Sequence, residues 1–272
     1  MVSRLFACFG RGSPSSSSSK AASHATSDAA TEEQRRSGPV VVELFTSQGC
    51  GTSPEAEALA TRLGRGEIVP AGDVPLIVLS FHVDYWDYRG WKDPFGSSAW
   101  TVRQKAYVES LRLDTLYTPQ VVVQGRAQCL GNEEEAIATA VRAAPRFPPP
   151  AMQVTFSRPT PETLQVSLTG PLRMKVDSSG ADVMVALYQS GLVTDIGAGE
   201  NRGRVLANDY VVRRLEKLAA VKDVSAKKVV SGSVVLALWD GFNPAKCGLV
   251  VFTQDHSLRI MGAQQFAIPD NL

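Results

Sequence analysis

The chain changes character at a cluster of prolines, Pro145, Pro148, Pro149 and Pro150. Before it, short apolar runs of strand length alternate with segments whose apolar residues recur at helical spacing. After it, helix signals nearly vanish and apolar residues alternate or run in short stretches. Helices and strands bury their apolar faces in different layers, so the pattern predicts an α/β portion joined by a stiff connection to a β portion. The expected organisation is a tail over 1–37, an α/β domain over 38–146, a proline-rich linker over 147–151 and a β domain over 152–272.

Within the α/β portion, Val40 to Phe45 is a buried strand bounded by Pro39 and a Ser-Gln-Gly turn. Pro54 to Leu63 is a helix, with Pro54 in its first turn, Ala56, Leu59, Ala60 and Leu63 on one face and Gly64 as its stop. Leu76 to Phe81 is a second buried strand. Ser98 to Leu111 reads as a helix with Ala99, Val102 and Ala106 on one face and Ser97 or Ser98 as cap. Pro119 to Val123 and Ala127 to Leu130 are strands around the Gln124-Gly125-Arg126 turn. Asn132 is expected to cap a final helix with a stripe of Ile137, Ala140, Val141 and Ala144. The order β-α-β-α-β-β-α is that of a thioredoxin fold. In the second portion Met152, Val154 and Phe156 alternate, as do Leu164, Val166 and Leu168. Apolar runs follow at 183–188, 234–239 and 249–252, with a last strand expected over 259–268 after a turn at Asp255 to Ser257. Such strands suggest a small antiparallel sandwich.

A net charge of +1 gives no electrostatic case for nucleic acid or an anionic membrane surface. No apolar stretch is long enough to predict a membrane-spanning helix. Cys8, Cys50, Cys129 and Cys247 are scattered without a C-x-x-C pair, and the histidines are His24, His82 and His256. That spacing predicts no structural zinc site, and the cysteine count favours a reducing, cytoplasmic setting. The Ser-rich tail cannot bury enough apolar surface to order itself. It also suits a plastid or other organellar transit peptide, and Cys8, beside Phe6 and Phe9, is a candidate for acylation that would anchor weakly.

Three constellations carry candidate chemistry. Cys50 lies between the first strand and the first helix, where unpaired backbone N–H groups and the helix dipole stabilise a thiolate. The residue three positions on is Ser53, which can donate a hydrogen bond to that thiolate but cannot form a disulfide with it. If Cys50 reacts, an outside thiol such as glutathione, or a second protein, must resolve the mixed disulfide. Thr118-Pro119 precedes the third strand, where a thioredoxin fold carries a cis proline against its reactive thiol. The segment from Phe81 to Phe95 gathers His82, Asp84, Trp86, Asp87, Trp91 and Asp93 at the carboxyl end of the second strand, where α/β sheets bind ligands. Its residues read three ways: as an aromatic fastening between parts of the fold, as a His82–Asp84 base pair, or as Asp84, Asp87 and Asp93 around a hard cation. The Gly197 to Arg204 segment lacks the lysine of a phosphate loop and reads as a loop between strands, in which Glu200, Arg202 and Arg204 could face the first portion.

The strings from Glu43 to Cys50, from Ser80 to Asp87 and from Gly90 to Phe95, with Tyr117 to Val123 and Gly125-Arg126, resemble a family of thioredoxin-like proteins with bacterial and plant members. In the second portion Gly199-Glu200-Asn201, Gly203-Arg204 and Val211-Val212-Arg213 look like a further segment of it. The resemblance covers about residues 40–266. It implies an α/β thioredoxin-like domain followed by a small all-β domain, and it supplies no settled activity. Members commonly show C-x-x-C-P-P where this chain has Cys50-Gly51-Thr52-Ser53-Pro54-Glu55, so a dithiol oxidoreductase is not expected. The expected function is monothiol exchange through Cys50 and Ser53, with Thr118, Pro119, His82, Asp84, Trp86 and Trp91 around the partner. Glutathione would be a co-substrate and no cofactor or metal is expected. The alternative is a redox-inactive binding module using the aromatic loop 81–95 and the groove at Pro119.

Overall fold

The computed structural model describes residues 38–272. The readings made of the tail, including those of Cys8, lie outside the described residues. Over the first portion the elements follow the expected order: β1 (Val40–Thr46), α1 (Ser53–Gly64), β2 (Leu76–His82), a short 3₁₀ turn (Asp87–Arg89), α2 (Ser98–Ser110), β3 (Gln120–Val123), β4 (Ala127–Leu130) and α3 (Glu134–Ala143). Every residue of β1 is buried, including Glu43 and Thr46 within its otherwise apolar run, because both faces of the sheet are covered. It pairs parallel with β2, from Val40 opposite Leu76 to Thr46 opposite His82. Ala56, Ala60 and Leu63 of α1 pack on Val40, Val42 and Leu44. Glu133 precedes α3 without a side-chain cap, so Asn132 does not cap it.

Helix α2 turns a different face inward from the one expected. Val102 is 65% exposed, and the buried residues are Trp100, Thr101, Gln104 and Tyr107. Polar groups drive this: Gln104 Nε2 donates to Tyr117 O at 2.7 Å and to Gln120 Oε1 at 2.9 Å. A helix that buries hydrogen-bonded polar side chains carries little apolar periodicity to read.

The expected fold class, an α/β thioredoxin-like domain followed by a small all-β domain, is overturned. The chain is mostly β, and strands from both portions form one mixed eight-stranded sheet in the order β13-β12-β7-β10-β2-β1-β3-β4. The joint is β10 (Val211–Val221). It pairs antiparallel with β7 (Ala181–Gln189) and meets β2 in parallel at Val211 opposite Ser80. The Ser80 N–H also donates to Tyr210 O at 2.8 Å. The sheet then continues through β12 (Cys247–Gln254) to β13 (Ile260–Ala267). A smaller sheet holds β5 (Gln153–Thr160), β6 (Thr163–Pro171) and β11 (Val229–Ala237), while β8 (Leu192–Asp195) and β9 (Val205–Asn208) form a separate hairpin.

Residue alternation assigns the layers. Val41, Phe45, Leu79 and Phe81 share a core with Trp100 and Tyr107 of α2 and with Ala186, Tyr188, Val250 and Phe252 from the far strands. The opposite residues, Val183, Val185, Leu187, Leu249 and Val251, pack on the small sheet through Leu164, Val166, Leu168 and Leu236. One helix therefore lies across strands of both portions. A buried network fixes it there. Arg103 Nε sits 2.7 Å from Glu43 Oε1 of β1, and its Nη1 donates to Gln254 Oε1 at 3.2 Å. The Tyr107 hydroxyl donates to the other Glu43 oxygen, and Gln254 Nε2 donates to that hydroxyl at 3.1 Å. Removing one member of a buried charge pair leaves the other uncompensated. Arg103→Ala is therefore expected to cost about 3–5 kcal/mol, read as a lowered urea midpoint, and an unchanged midpoint would refute this role.

Candidate functional site

Cys50 ends a turn in which its own N–H donates to Ser47 O at 3.1 Å and the Ser53 N–H donates to Cys50 O at 3.3 Å. Helix α1 starts at Ser53, with Pro54 in its first turn, so the thiol sits at the helix N-terminus as expected. Cys50 is only 2% exposed. Its Sγ lies 3.4 Å from Thr52 Oγ1 and 3.7 Å from the carbonyl oxygen of Thr118. The Thr118–Pro119 peptide bond is cis, as its position in the sequence led us to expect. Burial alone raises the Cys50 pKa, but hydrogen bonding by Ser53, Thr118 and Thr52 outweighs it and holds the thiol below its ordinary value. Cys129 has no such donor and Cys247 only the Arg213 charge and a backbone hydrogen bond at Asn243, and burial pushes each up to about 11.

Trp86 closes the site on the Thr118 side. Its Nε1 donates to Thr118 Oγ1 at 2.7 Å, and the Arg89 guanidinium lies over its ring at 5.3 Å. Trp91 supports the turn from another direction, donating to Gln48 Oε1 at 3.2 Å. The same Gln48 side chain donates to Asn208 Oδ1 at 2.8 Å and to Thr194 Oγ1 at 3.1 Å, which ties the turn to the β8–β9 hairpin.

His82 is fully buried, and its partner is not Asp84. Asp84 accepts from the Thr101 hydroxyl at 2.6 Å, on α2. His82 Nδ1 instead pairs with Asp93 Oδ2 at 2.7 Å, while its Nε2 lies 3.2 Å from Glu57 Oε1. Burial disfavours the charged ring, but Asp93 and Glu57 outweigh it and raise His82 to about 10. Burial would raise the Asp93 carboxyl, yet the His82 charge and the N–H groups of Gln48 and Phe95 hold it below its usual range. Asp93 Oδ2 accepts the Gln48 N–H at 2.7 Å, so this ion pair fixes the backbone two residues before Cys50. Among the described residues no group of three or more His, Cys, Asp or Glu side chains is arranged to hold a metal ion.

The loop from Gly197 to Arg204 reaches the same turn, as the sequence allowed. Asn201 is 1% exposed, and its Nδ2 donates to the carbonyls of Gln48 at 2.8 Å and Cys50 at 2.9 Å. Glu200 Oε2 accepts the Gly51 N–H at 2.9 Å, and its other oxygen pairs with Arg89 at 3.2 Å. A Cβ on residue 51 would stand 2.9 Å from that carboxylate, so any side chain there would push the Glu200 tip aside. The Gly51 N–H, next to Cys50 at the helix start, is thus used by Glu200. Asn201 and Glu57 escaped the sequence reading as site residues. Asn201 lay within a recognised segment but showed no chemistry, and Glu57 looked like an ordinary helix-surface acid.

With this geometry in place, comparison identifies the family. The family described as "Protein of unknown function (DUF1223)" matches residues 41–254, and the chain belongs to it. No curated protein matches. A crystal structure of a protein from Agrobacterium tumefaciens is similar at a TM-score of 0.57 and 23% identity, covering 86% of this chain and 96% of that one. HBP35 of Porphyromonas gingivalis is similar at a TM-score of 0.61 and 12% identity, covering 85% of this chain and 75% of that one. At these identities the likenesses show the fold alone. Among the described residues no helix is long and apolar enough to cross a membrane.

Two outcomes follow for stability. An unfolded His82 titrates near 6.5 and the folded one near 10. The stability its charge contributes is fully present below about 6.5 and is lost as pH rises toward about 10. Urea midpoints should fall over that interval, and ring NMR signals of His82 should remain those of imidazolium at pH 8; a neutral ring at that pH would refute the assignment. Asn201→Ala removes the donor to two carbonyls and should cost about 1–3 kcal/mol, measured by denaturant unfolding. No loss would mean that water replaces the amide.

Proposed function

We propose that the protein exchanges thiols and disulfides through Cys50 as a monothiol. The observation that carries the reading is the pairing of a lowered Cys50 pKa with three hydroxyl-bearing neighbours, Ser53, Thr118 and Thr52. Kinship with thioredoxin-type proteins belongs to this proposal and rests on the site: a thiol at a helix N-terminus opposite a cis Thr118–Pro119 bond. Attack of the Cys50 thiolate on oxidised glutathione breaks the glutathione S–S bond, forms a Cys50–glutathione disulfide and releases one glutathione thiolate. A second thiolate, from glutathione or a protein, then attacks the mixed disulfide and returns Cys50 as thiolate. Ser53 cannot act as the resolving group, so the outside thiol is required. Trp86, Thr118 and Pro119 would border the incoming partner, while His82, Trp91 and Asp93 hold the turn from behind. Asp84 would bear on the site only through α2.

The 2% exposure of Cys50 favours a second reading, a redox-inactive module that binds a peptide or small ligand over the aromatic loop 81–95 and the groove at Pro119. The two separate in one experiment. The pH dependence of Cys50 alkylation is expected to show a midpoint below that of a free cysteine thiol, with a glutathione adduct forming from oxidised glutathione and absent in Cys50→Ser. Ser53→Ala should move that midpoint upward. A midpoint at or above that of a free cysteine thiol, with no adduct, would remove the redox reading and leave the binding module.

A further inference from the structure

Cys50 is buried, yet the two loops that meet beside it are held differently at their bases and at their tips. The base of the aromatic loop is fixed by Asp84 to Thr101 of α2, by Trp91 to Gln48 and by Asp93 to His82. Asn201 fixes the Gly197 to Arg204 loop through two buried bonds to the Cys50 turn. Between Asp84 and Trp91 the chain makes the 3₁₀ turn Asp87–Arg89, no residue of which is buried. That turn ends at Gly90 with φ of 99°, where glycine lets the backbone pivot at little cost.

A chain of contacts carries the turn past the thiol. Trp86 starts beside Gly49, where an added Cβ would stand 3.1 Å from the Trp86 Cβ. Its indole N–H reaches the hydroxyl of Thr118, the residue whose carbonyl faces Cys50 Sγ. The Arg89 guanidinium lies over the Trp86 ring and pairs with Glu200 Oε1, and Glu200 Oε2 returns to the Gly51 N–H. The contacts thus run from Thr118 on one side of the sulfur to Gly51 on the other. Their ionic closure is also their weakest point. The Arg89 and Glu200 side chains are 48% and 38% exposed, and an exposed ion pair contributes little. A segment with fixed ends, no buried residue and a solvent-facing closure opens locally while the body beneath it stays folded.

We propose that the turn carrying Trp86 and Arg89 is a gate over Cys50, latched by the Arg89–Glu200 pair, and that a disulfide partner reaches the sulfur when the latch parts. The purpose given to the gate rests on the thiol reading, whereas access to the sulfur is measurable without it.

Alkylation of the folded full chain by iodoacetamide, followed on the Cys50 peptide by mass spectrometry, tests the gate. Above the alkylation midpoint the thiol is ionised, so the plateau rate reports access while the midpoint reports the pKa. The wild-type plateau is expected to lie about tenfold or more below that of an unstructured peptide carrying Cys50. Arg89→Ala and Glu200→Ala should each raise it by about threefold. The double variant should raise it by less than the product, because both changes break one latch. Urea midpoints should hold, since both side chains are well exposed. A wild-type plateau equal to the peptide's would overturn the proposal, as would variants that leave the plateau unchanged. So would multiplicative effects, or a rate increase matched by an equal loss of unfolding free energy. The thiol reading fails separately. A high midpoint without a glutathione adduct removes that reading, while a slow plateau that rises in the variants still upholds the gate.

Discussion

The Asp93 carboxylate is the contact on which the Cys50 region depends. One of its oxygens accepts both the His82 ring N–H and the Gln48 backbone N–H at 2.7 Å, and the other accepts the Phe95 N–H at 2.9 Å. Through those bonds the end of β2, the aromatic loop and the Cys50 turn become one rigid unit. The arrangement needs His82 charged, because two buried carboxylates facing a neutral ring would leave negative charge uncompensated. His82 therefore serves as a fixed cation. Buried on all sides, it has no route to act as a general base on a ligand, which disposes of the His82–Asp84 reading on geometry alone.

The order of elements up to α3 was legible in the sequence because each strand and helix there has a clear apolar period. The fusion of the two portions was not, and the reason is β10. Its sequence, Val-Val-Arg-Arg-Leu-Glu-Lys-Leu-Ala-Ala-Val, mixes charges with residues of high helix propensity and alternates poorly. Only Val211, Val212 and Val221 are buried, while the middle of the strand lies half open between β7 and the edge of the first portion. A strand held by backbone pairing, with Arg213 over the Trp239 ring at 4.2 Å, gives no apolar signal in proportion to its topological weight. With β10 unseen, the proline cluster looked like a boundary between two folds, and the far strands looked like a sandwich of their own.

The site was partly legible for a related reason. Cys50, Ser53, Thr118, Pro119 and Trp86 converge because the turn and the start of β3 are set by local chemistry close to them in sequence. Trp91 reaches the turn through Gln48. Asn201 and Glu200 arrive from about 150 residues away, so nothing local to Cys50 points to them. Glu57 was hidden by its type: an acid in the first turns of a helix is an ordinary solvent-facing residue, and only the polar underside of β2 gives it a reason to be buried.

These contacts change what the missing second cysteine means. The Ser53 hydroxyl is the largest of the influences that lower the Cys50 pKa, and together with Thr118 and Thr52 it overcomes a larger opposing contribution from burial. Meanwhile Glu200 occupies the Gly51 N–H, one of the donors a helix N-terminus would otherwise offer to sulfur. The thiol is therefore held by the Ser53, Thr118 and Thr52 side chains together with the Thr52 backbone N–H. With Ser53 three residues on, Cys50 has no neighbouring thiol for a disulfide, and the Ser53 hydroxyl is among the groups that hold its pKa down.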